Sequence, residues 1–444
     1  MSEKKELKRN LTVWTAIAIV VGTVIGAGVF FKPYAIYQST GGAPGMGMLG
    51  WILGGLISLF GALTFAEVAV LLPRTGGIVA YLGEVFGEKV GFLAGWMLTV
   101  IFYPAFLAGY GVKVGSVLAE YLGAGWQLPV AFFIIALVTL SNILGNRSAG
   151  GFQVVSTACK LIPLVLITVF GLILGKSGSH IFTPMVGEGK NAGGVLGSVL
   201  LAVLFAFEGW TNVGAIAGEM KNPGKDLPKA IVGGVSIIMA VYFLINMAYL
   251  WVIPADRLMN MESPAMEVAT VLFGDVGGTL IKVGIIISVI GAANGFLMSG
   301  SRVSYLLAEQ RTLPFSGTLS AIGKGNVPTF SILLISVLAC VYSLLGNFDL
   351  LTDLAVFACW IFYTLTFITV FILRKRQPDA ERKYKVPLYP VIPALAILGG
   401  LYVIVSQLFL SGESALRMSL WSIVITLAGL PVYFAVKAWY RKHG

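Results

Sequence analysis

Hydrophobic residues run through this chain in long blocks that charged residues seldom interrupt. A helix needs about 20 apolar residues to cross the hydrocarbon core of a bilayer, and blocks of that length recur along the whole chain. Their approximate limits are residues 12–36, 47–72, 90–118, 127–145, 152–174, 194–218, 228–253, 277–307, 328–346, 350–373, 388–410 and 416–438. The pattern predicts an all-α membrane protein with 12 transmembrane helices.

Two of these blocks are interrupted where a membrane helix should be continuous. The first carries Gly26, Ala27 and Gly28, and the sixth carries Glu208 and Gly209 in its middle. A helix broken at membrane depth leaves N–H and C=O groups that lipid cannot satisfy, so they must be buried in protein or face a polar cavity. Because five spans separate the breaks, the two halves would have opposite orientations, and such paired breaks indicate a substrate site near the bilayer midplane.

Each break has a simpler explanation when it is taken alone. Gly22 and Gly26 form a small-xxx-small pair that is typical of close helix packing. Glu208 could line a water-filled vestibule without binding anything, although ionisable residues within spans are costly and usually mark a pathway. The two breaks together favour a binding site.

Composition and charge agree with a membrane protein and exclude several partners. The chain is 57% hydrophobic and 11% charged, with a mean hydropathy of +0.90, values that lie outside the range of soluble domains. The net charge of +10 falls mainly in both terminal tails and in alternate loops, which predicts that both termini are cytoplasmic. With no basic globular domain, nucleic acid is not an expected partner. The basic stretch from Arg374 to Lys385 fits a topology signal better than a site for anionic membrane lipid.

Cysteine and signal patterns add little to this picture. The three cysteines, Cys159, Cys340 and Cys359, lie inside predicted spans, so structural disulfides are not expected. The first block is too long for a removable signal peptide and is interpreted as a permanent helix.

Motifs around the breaks resemble those of the amino acid–polyamine–organocation superfamily. They are Gly26-Ala27-Gly28-Val29-Phe30 followed by Pro33, Leu72-Pro73-Arg74-Thr75-Gly76-Gly77 leading to Tyr81, Phe207-Glu208-Gly209-Trp210, Gly218-Glu219-Met220-Lys221-Asn222-Pro223, Gly300-Ser301-Arg302-Val303-Ser304-Tyr305, and Val386-Pro387-Leu388-Tyr389-Pro390. Within this superfamily the chain is most similar to the L-amino acid transporter branch and its bacterial serine/threonine and alanine-serine-cysteine exchangers. The resemblance extends over nearly the whole chain.

The resemblance implies a LeuT-like fold of two inverted five-helix repeats, with helices 1 and 6 broken, plus two peripheral helices. The chain would then divide into a cytoplasmic tail (1–11), two repeats (12–174 and 194–373), the peripheral pair (388–438) and a second cytoplasmic tail (439–444). The implied activity is sodium-independent exchange of small or medium neutral L-amino acids such as Ala, Ser, Thr and Cys, by alternating access in a bacterial plasma membrane. No cofactor or metal is implied.

An amino acid zwitterion suits a broken helix, because one half offers N–H groups and the other offers C=O groups. We expect the substrate carboxylate to meet the N–H groups of Gly26, Ala27 and Gly28. Its ammonium should meet carbonyls near Val24 and Ile25 and near Phe205. Candidates for side-chain selection are Phe205, at which the resemblance places the family's aromatic gate, together with Phe207, Tyr103 and Trp360, although aromatic residues in spans often serve packing alone.

The carboxylate of Glu208 is not expected in a pocket for neutral substrates. A carboxylate in the break could attract a lysine, an arginine or a polyamine, so a cationic substrate is the main alternative within the transporter class. The carboxylate could instead point along the sixth helix into the vestibule.

Lys160 lies about eight residues, or about 12 Å, into the fifth block. From periodicity alone, the lysine could extend to the interface along its aliphatic stem. The resemblance instead implies that its ammonium takes the place of a coupling cation, bonding carbonyls around Val21 or Gly22, with the hydroxyl of Ser288 as a further candidate. Proton coupling through this lysine is a second alternative.

Tyr242 and Asn294 are polar residues in apolar spans and are candidates for the same network, against ordinary interhelical hydrogen bonding.

Other classes of protein fit the sequence poorly. An intramembrane enzyme needs a nucleophile with a base or a metal with its ligands, yet the only histidines are His180, in a predicted external loop, and His443, at the C-terminus. A channel would conduct without stimulation by substrate on the opposite side. Animal members of the branch pair with a heavy chain through a cysteine after the third span, and the loop Leu122–Trp126 has none, so no disulfide-linked heavy chain is expected.

Overall fold

The computed structural model describes residues 12–72, 76–178, 180–211, 222–323 and 325–443. These residues form helices joined by short connections, and they contain no strand. Residues 73–75 and 212–221, which carry parts of the quoted motifs, lie outside the described residues.

The described residues up to 178 form eight helices: the first and third predicted spans are each divided in two, and one short helix, Ile78–Phe86, lies in the connection between the second and third spans. The helices are α1 (Val13–Val24), α2 (Gly28–Thr40), α3 (Pro44–Leu71), α4 (Ile78–Phe86), α5 (Glu88–Met97), α6 (Tyr103–Leu122), α7 (Gln127–Ile143) and α8 (Asn146–Leu174). A π-helical turn over Leu98–Phe102 joins α5 to α6. The first span is therefore interrupted at Ile25–Ala27, as the glycines predict.

The described residues from 180 onward form ten further helices, of which two short ones, Ala255–Leu258 and Ser316–Leu319, lie in connections between predicted spans. They are α9 (Ala192–Ala206), α10 (Pro223–Val252), α11 (Ala255–Leu258), α12 (Pro264–Glu309), α13 (Ser316–Leu319), α14 (Thr329–Ser343), α15 (Phe348–Arg376), α16 (Val391–Phe409), α17 (Glu413–Leu427) and α18 (Gly429–His443). The sixth span ends its regular helix at Ala206, two residues before Glu208.

Among the residues that the structure describes, eight helical segments are long and apolar enough to cross a membrane. They are Pro44–Leu71, Glu88–Leu122, Ala124–Ile143, Gly224–Val252, Pro264–Glu309, Phe348–Arg376, Val391–Phe409 and Glu413–His443. Three shorter apolar helices, Cys159–Leu174, Ala192–Ala206 and Thr329–Ser343, lie on the fifth, sixth and ninth predicted spans. The all-helical membrane architecture is thus confirmed, and the total of 12 crossings and the inverted repeat stay predictions.

Hydropathy located the helices better than their ends. The eighth block was expected over 277–307, but α12 begins at Pro264. Its continuity is interrupted at Gly274, where a φ of 67° requires a residue without a Cβ. The fifth helix begins at Asn146 rather than near 152. The kink at Gly274 explains the first difference, because the stretch before it is a separate helical segment that precedes the span. Polar residues at the start of α8 do not contribute to an apolar block, which explains the second.

One buried carboxylate organises the end of α3. Glu67 is 2% exposed and accepts two hydrogen bonds from the Arg374 guanidinium, from Nε at 2.9 Å and from Nη2 at 2.7 Å. It also accepts the backbone N–H of Val386 at 2.7 Å. The basic stretch that begins at Arg374 therefore holds the connection after α15 against α3, a structural role that the charge pattern did not predict.

Candidate functional site

The two helix breaks are in direct contact. A Cβ added at Gly28, the first residue of α2, would lie only 2.4 Å from the Cα of Ala206, the last residue of α9. A Cβ at Gly209, whose φ is +114°, would lie 3.1 Å from Cγ2 of Thr23 in α1. Glycine is needed at both positions, for different reasons. At Gly28 the two backbones lie too close together for a larger residue, and at Gly209 the positive φ places the residue in the left-handed region, which favours glycine.

Backbone N–H groups in the first break have no helical partner. The carbonyl of Ala27 accepts the N–H groups of Phe30 and Phe31, both at 3.1 Å, and so starts the hydrogen-bond ladder of α2. Within the described residues, the N–H groups of Gly26 and Ala27 donate to no backbone carbonyl, and Gly28 occupies the first position of α2, where an N–H lacks an intrahelical acceptor. The break is buried, with Ala27 fully inaccessible. Three buried donors at a helix N-terminus form a site for an anionic group.

Tyr242 of α10 connects the two breaks. Its hydroxyl oxygen lies 3.2 Å from the carbonyl oxygen of Val24 at the end of α1 and 3.0 Å from that of Ala206 at the end of α9. The side chain is fully buried. A single hydroxyl hydrogen is thus shared between the last carbonyls of both broken helices. The alternative for Tyr242 was ordinary interhelical hydrogen bonding, and both of its bonds do join helices, at the two breaks.

Lys160 reaches from α8 to the same break. Its ammonium donates to the carbonyl of Gly22 and, at 2.7 Å, to the carbonyl of Ile25. Because the side chain is fully buried, it does not extend to the membrane interface. The expected bond to Ser288 is absent: the buried Ser288 hydroxyl has no hydrogen-bond partner among the described residues. The two carbonyls that accept from the lysine belong to the last turn of α1 and to the break that follows it.

The carbonyls expected to receive the substrate ammonium are partly used. Val24 and Ile25 accept from Tyr242 and Lys160 as described, and the carbonyl of Phe205 accepts the backbone N–H of Glu208 at 3.1 Å. A carbonyl oxygen has two lone pairs, so each retains one. The ammonium would share these carbonyls with the protein rather than find them free.

Phe205 lies in an aromatic cluster beside the break. Its ring stacks on Phe106 with centroids 5.1 Å apart and meets Phe348 edge-on at 5.5 Å. Phe207, two residues later, packs instead against Tyr242, with centroids 5.1 Å apart. Residues two apart point to different sides of a helical turn. The structure therefore keeps Phe205 as a candidate and places Phe207 in packing.

A tyrosine of α6 that sequence reasoning missed lies nearer the break than Tyr103. The ring of Tyr103 packs against Phe296, with centroids 6.2 Å apart, and against Gly300, whose added Cβ would lie 2.6 Å from the ring. By contrast, the hydroxyl oxygen of Tyr110 lies 3.8 Å from the position that a Cβ would take at Gly26. The two tyrosines are seven residues apart on one helix face, so this periodicity was the available signal.

Glu208 turns toward α15. Its Oε2 accepts the Tyr363 hydroxyl at 2.9 Å, and the residue is 3% exposed. Trp360, one turn earlier on α15, is also buried and packs edge-on against Tyr363 with centroids 5.6 Å apart. The carboxylate is therefore bonded within the protein, which resolves the orientation that the sequence left open.

Asn294 lies in a contact between two helices. Its Oδ1 accepts a hydrogen bond from Nδ2 of Asn142 in α7 at 2.9 Å, and both residues are buried. This bond joins two helices, as in the alternative given for Asn294.

Lys32 is a further candidate that sequence reasoning missed. Its fully buried ammonium lies 2.8 Å from Oδ1 of Asp349 and 2.8 Å from Oδ1 of Asp353, and it donates to Oγ1 of Thr352 at 2.9 Å. These bonds tie α2 to the beginning of α15. A signal was present, because Lys32 is the single charged residue of the first apolar block, and a charge in a span needs a partner.

Comparison with known proteins identifies the family. A family model described as amino acid permease matches residues 11–430. The chain is 41% identical over 440 residues to the serine/threonine exchanger SteT of Bacillus subtilis, covering 98% of both chains. It is 29% identical over 447 residues to the human cystine/glutamate transporter, covering 99% of this chain and 87% of that one. It is 27% identical over 458 residues to the mouse Asc-type amino acid transporter 1, covering 99% and 83%.

These relatives are named as transporters and exchangers rather than enzymes. Their similarity extends over nearly the whole chain, including both broken spans. The protein is a multi-span membrane protein, and it belongs to the amino acid permease family.

Proposed function

We propose that the protein exchanges small or medium neutral L-amino acids, such as alanine, serine, threonine and cysteine, across the membrane without sodium. The observation that carries this proposal is the set of buried N–H groups at Gly26, Ala27 and Gly28, which lack helical acceptors. They lie at the positive end of α2 and suit a carboxylate. The names of the relatives, serine/threonine exchanger above all, agree with an amino acid as substrate.

The other end of the substrate has a matching environment. Its ammonium would take the remaining lone pairs of the carbonyls at Val24, Ile25 and Phe205. Phe205 and Tyr110 would border its side chain, because their rings lie 6.3 Å apart beside the break. This border offers surface to a small apolar or hydroxylated side chain.

The charged side chains described beside the breaks are already bonded within the protein, which favours a neutral substrate side chain. Glu208 is bonded to Tyr363, and Lys32 is paired with both Asp349 and Asp353, so the remaining negative charge lies on a cluster beyond the first break. A lysine or arginine substrate would have to reach a carboxylate that is only 3% exposed and is turned toward α15. A neutral substrate requires no such contact.

Sodium independence is inferred from Lys160. Its ammonium occupies the space between α8 and α1 and bonds two carbonyls that the break exposes. An ammonium with these ligands supplies one positive charge to the same oxygens that would otherwise coordinate a monovalent cation. A permanent cation of the protein would make a dissolved one unnecessary.

Alternating access requires contacts that open on one side at a time. The Lys32 cluster joins α2 to α15 beyond the break, and the charge pattern predicts that this end faces outward, with both termini cytoplasmic. Separation of these ion pairs would open the site to the exterior. We infer that exchange proceeds between this closed arrangement and one in which Lys32 has released the two aspartates. The protein would do so in a plasma membrane, with no disulfide-linked heavy chain.

Exchange can be tested with purified protein in liposomes loaded with unlabelled serine. Uptake of labelled serine should saturate, should proceed in sodium-free buffer, and should fall strongly when the liposomes are empty. Conductance without this stimulation would indicate a channel, and uptake only in sodium would contradict the role of Lys160. Competition by lysine or arginine as strong as that by serine would favour a cationic substrate, and uptake into empty liposomes driven by a pH gradient would favour proton coupling.

A further inference from the structure

A polar cavity lies beside the Lys32 cluster, and the residues of the two helix breaks do not line it. Its volume is about 490 Å³, which is within the range of small-molecule sites. Residues from five helices line it, among them Ser39 of α2, Ser198 of α9, Asp353 of α15, Gln407 of α16 and Ser414 of α17. The charge pattern predicts that this end of the molecule faces outward.

One side of the cavity offers oxygen atoms without donors. Asp353 uses Oδ1 for Lys32, while its Oδ2 accepts no hydrogen bond from the described residues, and the side chain is 28% exposed. Gln407 is 2% exposed and donates its amide N–H to Ser411 at 3.3 Å, but its Oε1 accepts no hydrogen bond within the described part of the chain. A carboxylate oxygen and a buried amide oxygen, both free to accept, suit an ammonium group.

Lys190 and the N-terminus of α9 bring positive charge to another part of the cavity wall. Lys190 lines the cavity, and its ammonium forms no ion pair or hydrogen bond with the residues that the structure describes. Helix α9 begins two residues later, and Gly194 and Val195 of its first turn also line the cavity. The positive end of the helix adds to the charge of Lys190. This part of the wall suits a carboxylate.

We propose that this cavity binds a second amino acid zwitterion, with its ammonium at Asp353 and Gln407 and its carboxylate at Lys190. A simple cation would gain nothing from Lys190, and a simple anion would be repelled by Asp353, so the paired charges select a molecule that carries both. The inference rests on the proposed function for the class of ligand and for the side of the membrane.

Occupancy of this site would act on the Lys32 cluster. Asp353 is shared, because the same carboxylate faces the cavity and holds Lys32. An ammonium bound at Oδ2 competes for the negative charge and leaves Lys32 held mainly by Asp349 and Thr352. The tie between α2 and α15 weakens, so filling the cavity accelerates opening to the exterior and raises the exchange rate.

Equilibrium binding of labelled serine to purified protein in lipid nanodiscs tests the site. The wild type should bind two serines per protein, whereas Lys190→Ala and Gln407→Leu should each bind one. Neither residue belongs to the site at the breaks, so exchange at low serine should remain unchanged in both variants. Lys176→Ala, which removes an exposed lysine from the same predicted side, is the matched control and should bind two.

Binding of one serine by the wild type, or of two by both variants, would overturn this inference. If Gln407→Leu fails to fold, Lys190→Ala decides alone, because Lys190 is an exposed loop residue. Serine methyl ester has the ammonium but no carboxylate. It should therefore not displace the second serine from the wild type, which is the serine that Lys190→Ala fails to bind. Full displacement of that serine would also count against the site. If the wild type exchanges serine but binds only one molecule of it, only the second site is disproved. If the wild type does not exchange serine at all, the proposed function is disproved.

Discussion

The ammonium nitrogen of Lys160 lies 2.7 Å from the carbonyl oxygen of Ile25. This bond, together with one to the carbonyl of Gly22, joins α8 to the last turn of α1 at the point where the helix breaks. Without the lysine, two buried carbonyls would lose a charged donor. The shape of the break therefore depends on a residue far from it in the sequence.

Lys160→Ala should reduce serine exchange by about tenfold or more, since a hydrogen bond from a charged donor contributes about 1.5–3 kcal/mol and about 1.4 kcal/mol corresponds to a factor of ten. Initial rates in sodium-free proteoliposomes measure this. Lys176→Ala removes an exposed lysine and should leave the rate unchanged. An active Lys160→Ala protein would remove the lysine from the mechanism.

Tyr242→Phe should impair exchange because it removes the hydroxyl that bridges Val24 and Ala206. Leaving these carbonyls without their donor costs about 1–3 kcal/mol, which predicts a five- to hundredfold lower rate. Tyr249→Phe is the matched control, since Tyr249 lies on the same face of α10 and bonds only the carbonyl of Val29, at 3.2 Å. Equal effects of the two substitutions would show that the bridge has no special role.

Gly28→Ala and Gly26→Ala should fail in different ways. At Gly28 the new methyl would overlap the backbone of Ala206, so α2 and α9 must separate and the melting temperature in detergent should fall. At Gly26 the methyl would meet the Cβ of Ala292 at 3.4 Å, an ordinary contact, so the fold should persist. Because it occupies the space next to the unpaired N–H groups, Gly26→Ala should still raise the KM for serine. A stable Gly28→Ala protein with normal exchange would contradict the contact between the breaks.

Tyr110→Phe should raise the KM for serine several-fold, whereas Tyr103→Phe should not. The Tyr110 hydroxyl lies beside Gly26, and the Tyr103 ring packs on α12. Loss of one neutral hydrogen bond to the substrate is worth about 0.5–1.5 kcal/mol. Concentration dependence of exchange in the two variants decides between them, and the reverse order of effects would restore Tyr103 as the binding residue.

Sequence reasoning located the breaks because their physical cause is local. Gly26, Gly28 and Gly209 interrupt apolar blocks, and a lipid-embedded backbone cannot tolerate an interruption without compensation. The involvement of Lys160 with the first break was also anticipated from the family resemblance. Both inferences depend on residue type and position along one span.

The missed features depend on contacts between spans. Lys32 pairs with Asp349 and Asp353, more than 300 residues away, and no periodicity within a single helix reveals that pairing. Tyr103 and Tyr110 lie about two turns apart on the same face of α6, and only the packed structure shows that Tyr110 is beside Gly26. Lys160 bonds the carbonyls of Gly22 and Ile25 and not the hydroxyl of Ser288, a choice that only the packed structure reveals.

The central claim is that the unpaired N–H groups of the first break hold the substrate carboxylate. A density map of the protein with bound serine tests this most directly. The account predicts that the carboxylate oxygens lie about 3 Å from the backbone nitrogens of Gly26, Ala27 and Gly28, with the ammonium toward the carbonyls of Val24 and Phe205. Serine bound away from these nitrogens, or a first span that continues as an unbroken helix through residues 25–27, would contradict it.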